Sequence, residues 1–314
     1  MLKIANVEFE NILMNASGVF SDSPYLLKTW EEAGIGGVVT KSITVEKKDP
    51  NPFSYNNGKI ILIHGKDYTI NSMGLPNKGL AWWKKELQKI TFNVPLVISA
   101  ATHTGILQEY ARIVNELENI ASMFEINVSC PNIKNEIIGY NLDSLRELLS
   151  NIKTKRSLSV KIPCYYKNDS LKKVILDFEE FGKQILKEKA YVHVPTQIDE
   201  IFLSKVLDLF QDFKIKCVTS HNTIPITHPL LSTPRGGLSG RPIHSIAVMQ
   251  ARSISAISNI DIIGSGGILN SQDVIDFLEI KNVKAVQLAS GFYQYENPSL
   301  FIDKIKDGLG KYFN

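Results

Sequence analysis

Cysteine is scarce in this chain: Cys130, Cys164 and Cys217 are the whole complement among 314 residues. An odd count, with none of the close pairs of a metal site or disulfide framework, points to reduced thiols and a cytoplasmic protein. Charge of one sign is lacking as well. The 35 lysines and arginines offset 32 aspartates and glutamates to a net +3, spread along the sequence, so nothing suits nucleic acid or an anionic membrane. No run approaches the ~18 apolar residues of a membrane span, and Met1-Leu2-Lys3-Ile4-Ala5 does not lead a basic segment into an apolar one. Histidine–glutamate metal signatures, a Walker loop and a serine elbow are missing too. Metal-dependent hydrolysis, phosphoryl transfer and acyl transfer are therefore poorly supported.

What the sequence has instead is alternation. Short β-rich apolar runs alternate with amphipathic helical stretches from end to end. Strands are predicted at Ile12–Ala16, Gly37–Lys41, Pro95–Ala100, Met123–Val128, Ser157–Ile162, Lys216–Ser220, Ile260–Gly264 and Ala285–Ala289. Helical patterns follow them. Ser23 and Pro24 read as cap and first residue of a helix reaching Ala33, and Asp143-Ser144 opens another with Leu142, Leu145, Leu148 and Leu149 on one face. Such strand–helix units predict an α/β fold, a TIM (β/α)8 barrel formed by residues 1–314 as a single domain. An open doubly wound sheet is the alternative.

Two long connections interrupt the rhythm. Between Thr44 and Lys78, the breakers Pro50, Pro52, Asn56-Asn57-Gly58 and Pro76 predict a hairpin-bearing excursion after strand 2, lying over the strand ends. Residues 165–197 look inserted after strand 5. An amphipathic helix is expected there, with Leu171, Val174, Ile175, Phe178 and Ile185 on one side, then a strand-like run at Ala190–Val194 and a helix over Glu200–Phe213.

The stretch Glu125-Ile126-Asn127-Val128-Ser129-Cys130-Pro131-Asn132 places a thiol between amides where a buried strand ends, the side of an α/β sheet on which chemistry sits. A lone cysteine also reads as a small buried hydrophobe. Its neighbours favour chemistry, since a thiol can move a proton while amides hold a polar, planar ligand. Lys41 and Lys161 fall at strand ends too, and a buried ammonium needs an anion or an electron-rich ring. The runs Gly236-Gly237-Leu238-Ser239-Gly240, Gly264-Ser265-Gly266-Gly267 and Ala289-Ser290-Gly291 offer unobstructed amides, as a phosphorylated cofactor requires.

In these motifs the chain resembles the dihydroorotate dehydrogenases, specifically the soluble class 1 branch. The match runs in order through Met14-Asn15-Ala16-Ser17-Gly18, Thr40-Lys41-Ser42, Ile70-Asn71-Ser72-Met73-Gly74-Leu75-Pro76-Asn77, Asn127 to Asn132, Val160-Lys161-Ile162-Pro163, Asn222-Thr223 and the glycine runs. A cysteine where the membrane-associated class has serine, and no amino-terminal extension, favour class 1. The resemblance implies an FMN-binding barrel that oxidises dihydroorotate to orotate in pyrimidine (UMP) synthesis. It implies that Cys130 takes the C5 proton while C6 gives a hydride to FMN, with Lys161 stabilising the charge that builds on the flavin. Lys41, Asn71 and Met73-Gly74-Leu75 are expected around the substrate carboxylate, and Asn127, Asn132, Asn222 and Thr223 on the amide edges of its ring. Ala16, Ser17, Lys41, Ser42, Asn127, Lys161, Ser239, Gly240, Gly266, Gly267 and Ser290 carry over as FMN contacts.

As partner, the resemblance implies a second copy of the chain or an electron-transfer subunit. Some relatives are homodimers that use fumarate, and others pass electrons to an iron–sulfur flavoprotein that uses NAD. No cysteine cluster or dinucleotide fingerprint lies in this chain. The sequence departs from the family pattern at Cys164, at His221 before Asn222, and in the length of the 165–197 insert. Alternatives are a dihydropyrimidine dehydrogenase-like flavin barrel, a barrel whose cysteine attacks a purine nucleotide as in inosinate dehydrogenases, and a flavin subunit active only with a partner.

Overall fold

Ala5 and Asn6, with φ of 45° and 74°, form the two-residue turn between β1 (Leu2–Ile4) and β2 (Val7–Phe9), because positive φ at both positions suits the twist of a tight hairpin. The computed structural model describes residues 1–52, 61–129, 137–176, 190–228, 231–295 and 297–312. The strands continue as β3 (Leu13–Asn15), β4 (Val38–Val39), β5 (Leu62–His64), β6 (Tyr68–Asn71), β7 (Leu96–Ala100), β8 (Met123–Asn127) and β9 (Ser157–Lys161). Then come β10 (Leu171–Leu176), β11 (Ala190–Pro195), β12 (Cys217–Thr219), β13 (Ile224–Thr227), β14 (Arg235–Gly240), β15 (Asp261–Ser265) and β16 (Val283–Leu288). The α-helices are α1 (Pro24–Glu32), α2 (Leu80–Leu87), α3 (Gln108–Leu117), α4 (Leu142–Asn151), α5 (Glu200–Asp212), α6 (Arg241–Ile257), α7 (Ser271–Leu278) and α8 (Pro298–Leu309).

Eight strands form one sheet in the order β3-β16-β15-β12-β9-β8-β7-β4, with parallel neighbours throughout. A bridge from Met14 to Gly37 joins its two ends. The Asn15 side chain spans the same seam, accepting from Val39 N at 2.9 Å and donating to Val39 O at 2.7 Å. The result is the (β/α)8 barrel, and each of the eight runs expected from the sequence contains or overlaps one barrel strand. Helix α1 begins at Pro24 with Ser23 as its cap. Helix α4 starts at Leu142, one residue before the expected Asp143-Ser144 opening, because the Asn141 side chain takes the cap, accepting from Ser144 N at 3.0 Å.

Alternation along the barrel strands sorts the interior into layers. At one end Met14, Val39, Val97, Met123, Cys217, Ile263 and Ala285 pack with Ile4, Ala5 and Phe9 of the β1–β2 hairpin, which plugs the barrel with apolar surface. Two residues further along, the strands contribute Ser99, Glu125, Ser159, Thr219 and Gln287, all buried and polar. Asn127 and Lys161 lie two residues beyond that, at the carboxyl end, and Lys41 follows two residues after Val39.

Over this end lies a second, antiparallel sheet of order β13-β14-β6-β5. The segment after β4 supplies the β5–β6 hairpin and the segment after β12 supplies β13–β14, joined by pairs such as Ser239 with Thr69 and Leu238 with Ile70.

The insert after β9 departs from the expected helix. Leu171–Leu176 is a strand, antiparallel to Ala190–Pro195. The apolar residues Leu171, Val174, Ile175 fit a helical face by spacing, but Val174 and Ile175 are β-branched and find a partner strand holding Val192 and Val194. Phe178 and Ile185 lie outside the described residues.

Candidate active site

The ends of the barrel strands and the overlying sheet enclose one cavity. From strand ends come Ala16, Ser17, Lys41, Ser42, Asn127, Lys161, Asn222 and Thr223, and from the overlying sheet and the turn beside it Thr69, Asn71, Met73, Leu75 and Ser239. Gly266, Gly267 and Ser290 line it as well. The structure thus gathers residues that lie more than 250 positions apart in sequence, as Ala16 and Ser290 do, around one space. Cys130 and Asn132 lie outside the described residues.

Two ammonium groups stand in this cavity, with Lys161 only 3% exposed and Lys41 9%. Lys161 Nζ donates to Gln287 Oε1 at 3.2 Å. Gln287 Nε2 donates in turn to Glu125 Oε2 at 2.7 Å. The Glu125 carboxylate, fully buried, also accepts from Ser99 Oγ at 3.0 Å and Thr219 Oγ1 at 2.9 Å. A carboxylate in such a place is tolerable only with donors on both oxygens, and it has them. Above it, Ser42 Oγ meets Ser99 Oγ at 3.0 Å and Ser17 Oγ at 2.8 Å, and accepts from Asn127 Nδ2 at 2.9 Å. Asn222 Nδ2 donates to Ser129 Oγ at 2.7 Å and lies 3.3 Å from Asn127 Oδ1. The amides at the cavity wall are therefore held in place before any ligand arrives.

Two residues of the expected set stand behind the cavity. Gly74 adopts φ of 79°, and a Cβ there would come within 2.4 Å of Asn51 Oδ1. Asn51 pins this turn through Ser72 O and Met73 O, and leaves Leu75, itself at φ 59°, facing the cavity. Gly240 sits at the corner where β14 turns into α6, with φ of 92° and the Asp67 carbonyl 2.3 Å from where a Cβ would be. Of the run Gly236 to Gly240, only Ser239 reaches the cavity. Gly236 serves close strand packing, since a Cβ would lie 2.6 Å from Asn71 O.

The loop after β15 is built differently. Gly266 and Gly267 have φ of 123° and 70°, and their Cβ positions would fall 2.6 Å from Ala247 Cβ and from Gly240 O. No side chain fits, so the loop is pressed onto α6 with its backbone bare. Among the described residues neither N–H donates to another protein group. Bare amides there and buried ammonium groups elsewhere in the same cavity suit a ligand with a phosphate at one end and an electron-rich ring at the other, which is the shape of charge in FMN.

Sequence reasoning missed several participants. Glu125 and Gln287 carry the polar layer, and the signal available was a polar residue at every second position of an apolar strand. Phe20, Trp30 and Tyr293 form an aromatic flank, with Phe20 and Tyr293 ring centroids 4.7 Å apart. Burial pushes the Tyr293 hydroxyl up to about 12. These rings sit in two short 3-10 turns and one α-helix, without a pattern to mark them.

Of the three departures noted in the sequence, Cys164 is buried with its thiol pushed up to about 12 by desolvation, which leaves it an inert packing residue. His221 is also fully buried. Neither of its ring nitrogens meets a hydrogen-bond partner among the described residues, and burial lowers it to about 4, with the Lys161 charge acting in the same direction. Elsewhere His244, Asp273 and Asp276 bring three potential ligand atoms within 4.8 Å. The protein itself occupies those carboxylates: Arg241 holds Asp273 with two bonds, of 2.5 and 2.8 Å.

Among the described residues no helix is long and apolar enough to cross a membrane. A family model described as "Dihydroorotate dehydrogenase" matches residues 1–313. A Pyrococcus furiosus protein named "Dihydroorotate dehydrogenase B (NAD(+)), catalytic subunit" is 30% identical over 99% of this chain and 92% of its own length. A protein of the same name from Methanocaldococcus jannaschii is 29% identical over 93% of this chain and 88% of its own length. Among solved structures, the Eimeria tenella enzyme in complex with ferulenol superposes with a TM-score of 0.75 at 18% identity, covering 98% of this chain and 82% of that one, a likeness of fold.

Proposed function

The chain belongs to the dihydroorotate dehydrogenase family, in its class 1 branch, and is an oxidoreductase; on that footing we propose that residues 1–314 act as a single FMN-binding barrel domain oxidising (S)-dihydroorotate to orotate, in the cytoplasm. The observation that carries the cofactor and substrate is the combination in one cavity of two buried lysines with the bare Gly266–Gly267 backbone. FMN, when bound, supplies the acceptor for the hydride that leaves C6.

The chain's own residues do the rest. The amides of Gly266 and Gly267, with Ser290 beside them, hold the phosphate. Lys161 presents its ammonium where negative charge develops during the transfer, and its bond to Gln287 keeps it there. Lys41 and Asn71, with the backbone of Met73 and Leu75, take the substrate carboxylate. Asn127, Asn132, Asn222 and Thr223 satisfy the amide edges of the ring, and a ring lacking those groups would leave them unpaired at about 1–3 kcal/mol each. Cys130 removes the C5 proton. It follows Asn127 by three residues in the motif that ends β8, and a thiol titrating near ~8.5 needs only modest assistance to serve as base. The relatives named as catalytic subunits of an NAD-dependent enzyme support a partner that carries the electrons onward.

Orotate and uracil distinguish this substrate from the nearest competitor. Orotate should perturb the bound flavin spectrum at least tenfold more tightly than uracil, about the worth of one charge-assisted contact to Lys41. Equal affinity for the two would move the substrate assignment to an uncharged pyrimidine.

A further inference from the structure

His244 lies behind the Gly266–Gly267 loop, on the first turns of α6, and is buried without lining the cavity. Its Nδ1 is 3.2 Å from Gly266 O, and because a carbonyl can only accept, Nδ1 is the donor. Its Nε2 faces Asp276 Oδ2 at 3.0 Å, with Asp273 Oδ1 further off at 3.6 Å, and since a carboxylate also only accepts, the two bonds together need a proton on both ring nitrogens. The ring is held by α7 and in turn holds the loop. Asp273 secures the other end of the same loop, accepting from Leu269 N at 2.8 Å and Asn270 N at 3.1 Å while Arg241 neutralises it.

The consequence follows from peptide geometry. Gly266 and Gly267 are joined by a trans peptide, in which the C=O and the following N–H point in opposite directions. With Gly266 O drawn back to His244, the Gly267 N–H is turned away from α6, towards the cavity that both glycines line. We propose that His244 is a positioning residue for the anionic end of the cofactor: by holding the Gly266 carbonyl to the rear it aims the Gly267 N–H at the phosphate. This rests on the FMN reading above.

The glycines allow the peptide to turn, since each adopts a φ that suits no side chain, and freedom of that kind has to be removed if a single orientation is to bind an anion well. His244 removes it through one hydrogen bond, and Asp276 fixes the ring that makes the bond.

The test compares FMN with riboflavin, which lacks the phosphate, on apoprotein of the full chain, reading dissociation constants from flavin fluorescence. His244→Phe keeps a ring behind the loop and loses the donor, while His244→Asn puts an amide N–H close to the position of Nδ1. The Phe variant should bind FMN about tenfold more weakly, the worth of roughly one hydrogen bond, with riboflavin affinity unchanged. The Asn variant should recover most of the loss. A Phe variant that binds FMN like wild type overturns the proposal, and so does an equal loss of both flavins in both variants, which would make the ring a mere filler. Wild-type apoprotein that takes neither flavin would remove the FMN reading itself, and the proposal with it.

Discussion

Lys161 and Glu125 are joined across the barrel interior by a single side chain, Gln287, which accepts from the lysine at 3.2 Å and donates to the carboxylate at 2.7 Å. The cation at the cavity and the buried anion beneath it are thus one unit. Neither belongs to an apolar core by itself, and together with Ser99 and Thr219 they form the floor on which a ligand would rest.

Gln287→Leu should break that unit. Glu125 would lose one donor and Lys161 its acceptor, for a loss of about 1–3 kcal/mol in unfolding free energy. Urea denaturation measures it, and reduction of the bound flavin by dihydroorotate should slow as well because Lys161 is no longer held. Stability equal to wild type would show that Gln287 is dispensable to the floor.

His221 sets a pH dependence with a definite sign. Its ordinary value near ~6.5 falls to about 4 in the folded chain, so between these the unfolded chain binds a proton that the folded one does not. The neutral ring costs nothing extra above pH ~6.5; as pH drops towards about 4 stability is lost, to a total of about 3 kcal/mol. His221→Leu should flatten this part of the profile and, by removing two unpartnered nitrogens, raise stability at neutral pH. Parallel wild-type and variant profiles would contradict it.

The barrel was legible because its strands are runs of apolar, β-branched residues that helices cannot mimic at that length, as in Val97-Ile98 or Ile262-Ile263. Around Leu171 the local signals conflict: three apolar residues at helical spacing read as one face although Val174 and Ile175 are β-branched, and pairing with Val192 and Val194, some 20 residues away in sequence, decides for a ribbon. The candidate site divides in the same way. Motif residues such as Lys41, Asn127 and Gly267 announce themselves, whereas Gln287 becomes meaningful only when alternation along β16 turns it inward towards Glu125. His244 carries no signal in the sequence, since its bond to Gly266 arises from the packing of α6 against a loop 22 residues further on.

Lys41→Ala should separate substrate from cofactor. Orotate affinity, read from the flavin spectrum, should fall by about 10- to 100-fold, the worth of a hydrogen bond to a charged group, while uracil-type ligands change little. Unaltered orotate affinity would place the carboxylate elsewhere.

Cys130→Ala should leave FMN bound. Flavin reduction by dihydroorotate should slow by at least ~100-fold, the lower end of a general base's contribution, and stopped-flow absorbance measures it. Reduction at the wild-type rate would take Cys130 out of the chemistry.

The first measurement to make is the anaerobic absorption spectrum of the purified protein, reconstituted with FMN where needed, before and after dihydroorotate. An oxidised flavin spectrum that bleaches on addition of substrate, and returns when an artificial electron acceptor is supplied, is the expected result. A flavin that stays oxidised in the presence of dihydroorotate, or a protein that takes up no FMN, would contradict the proposed activity.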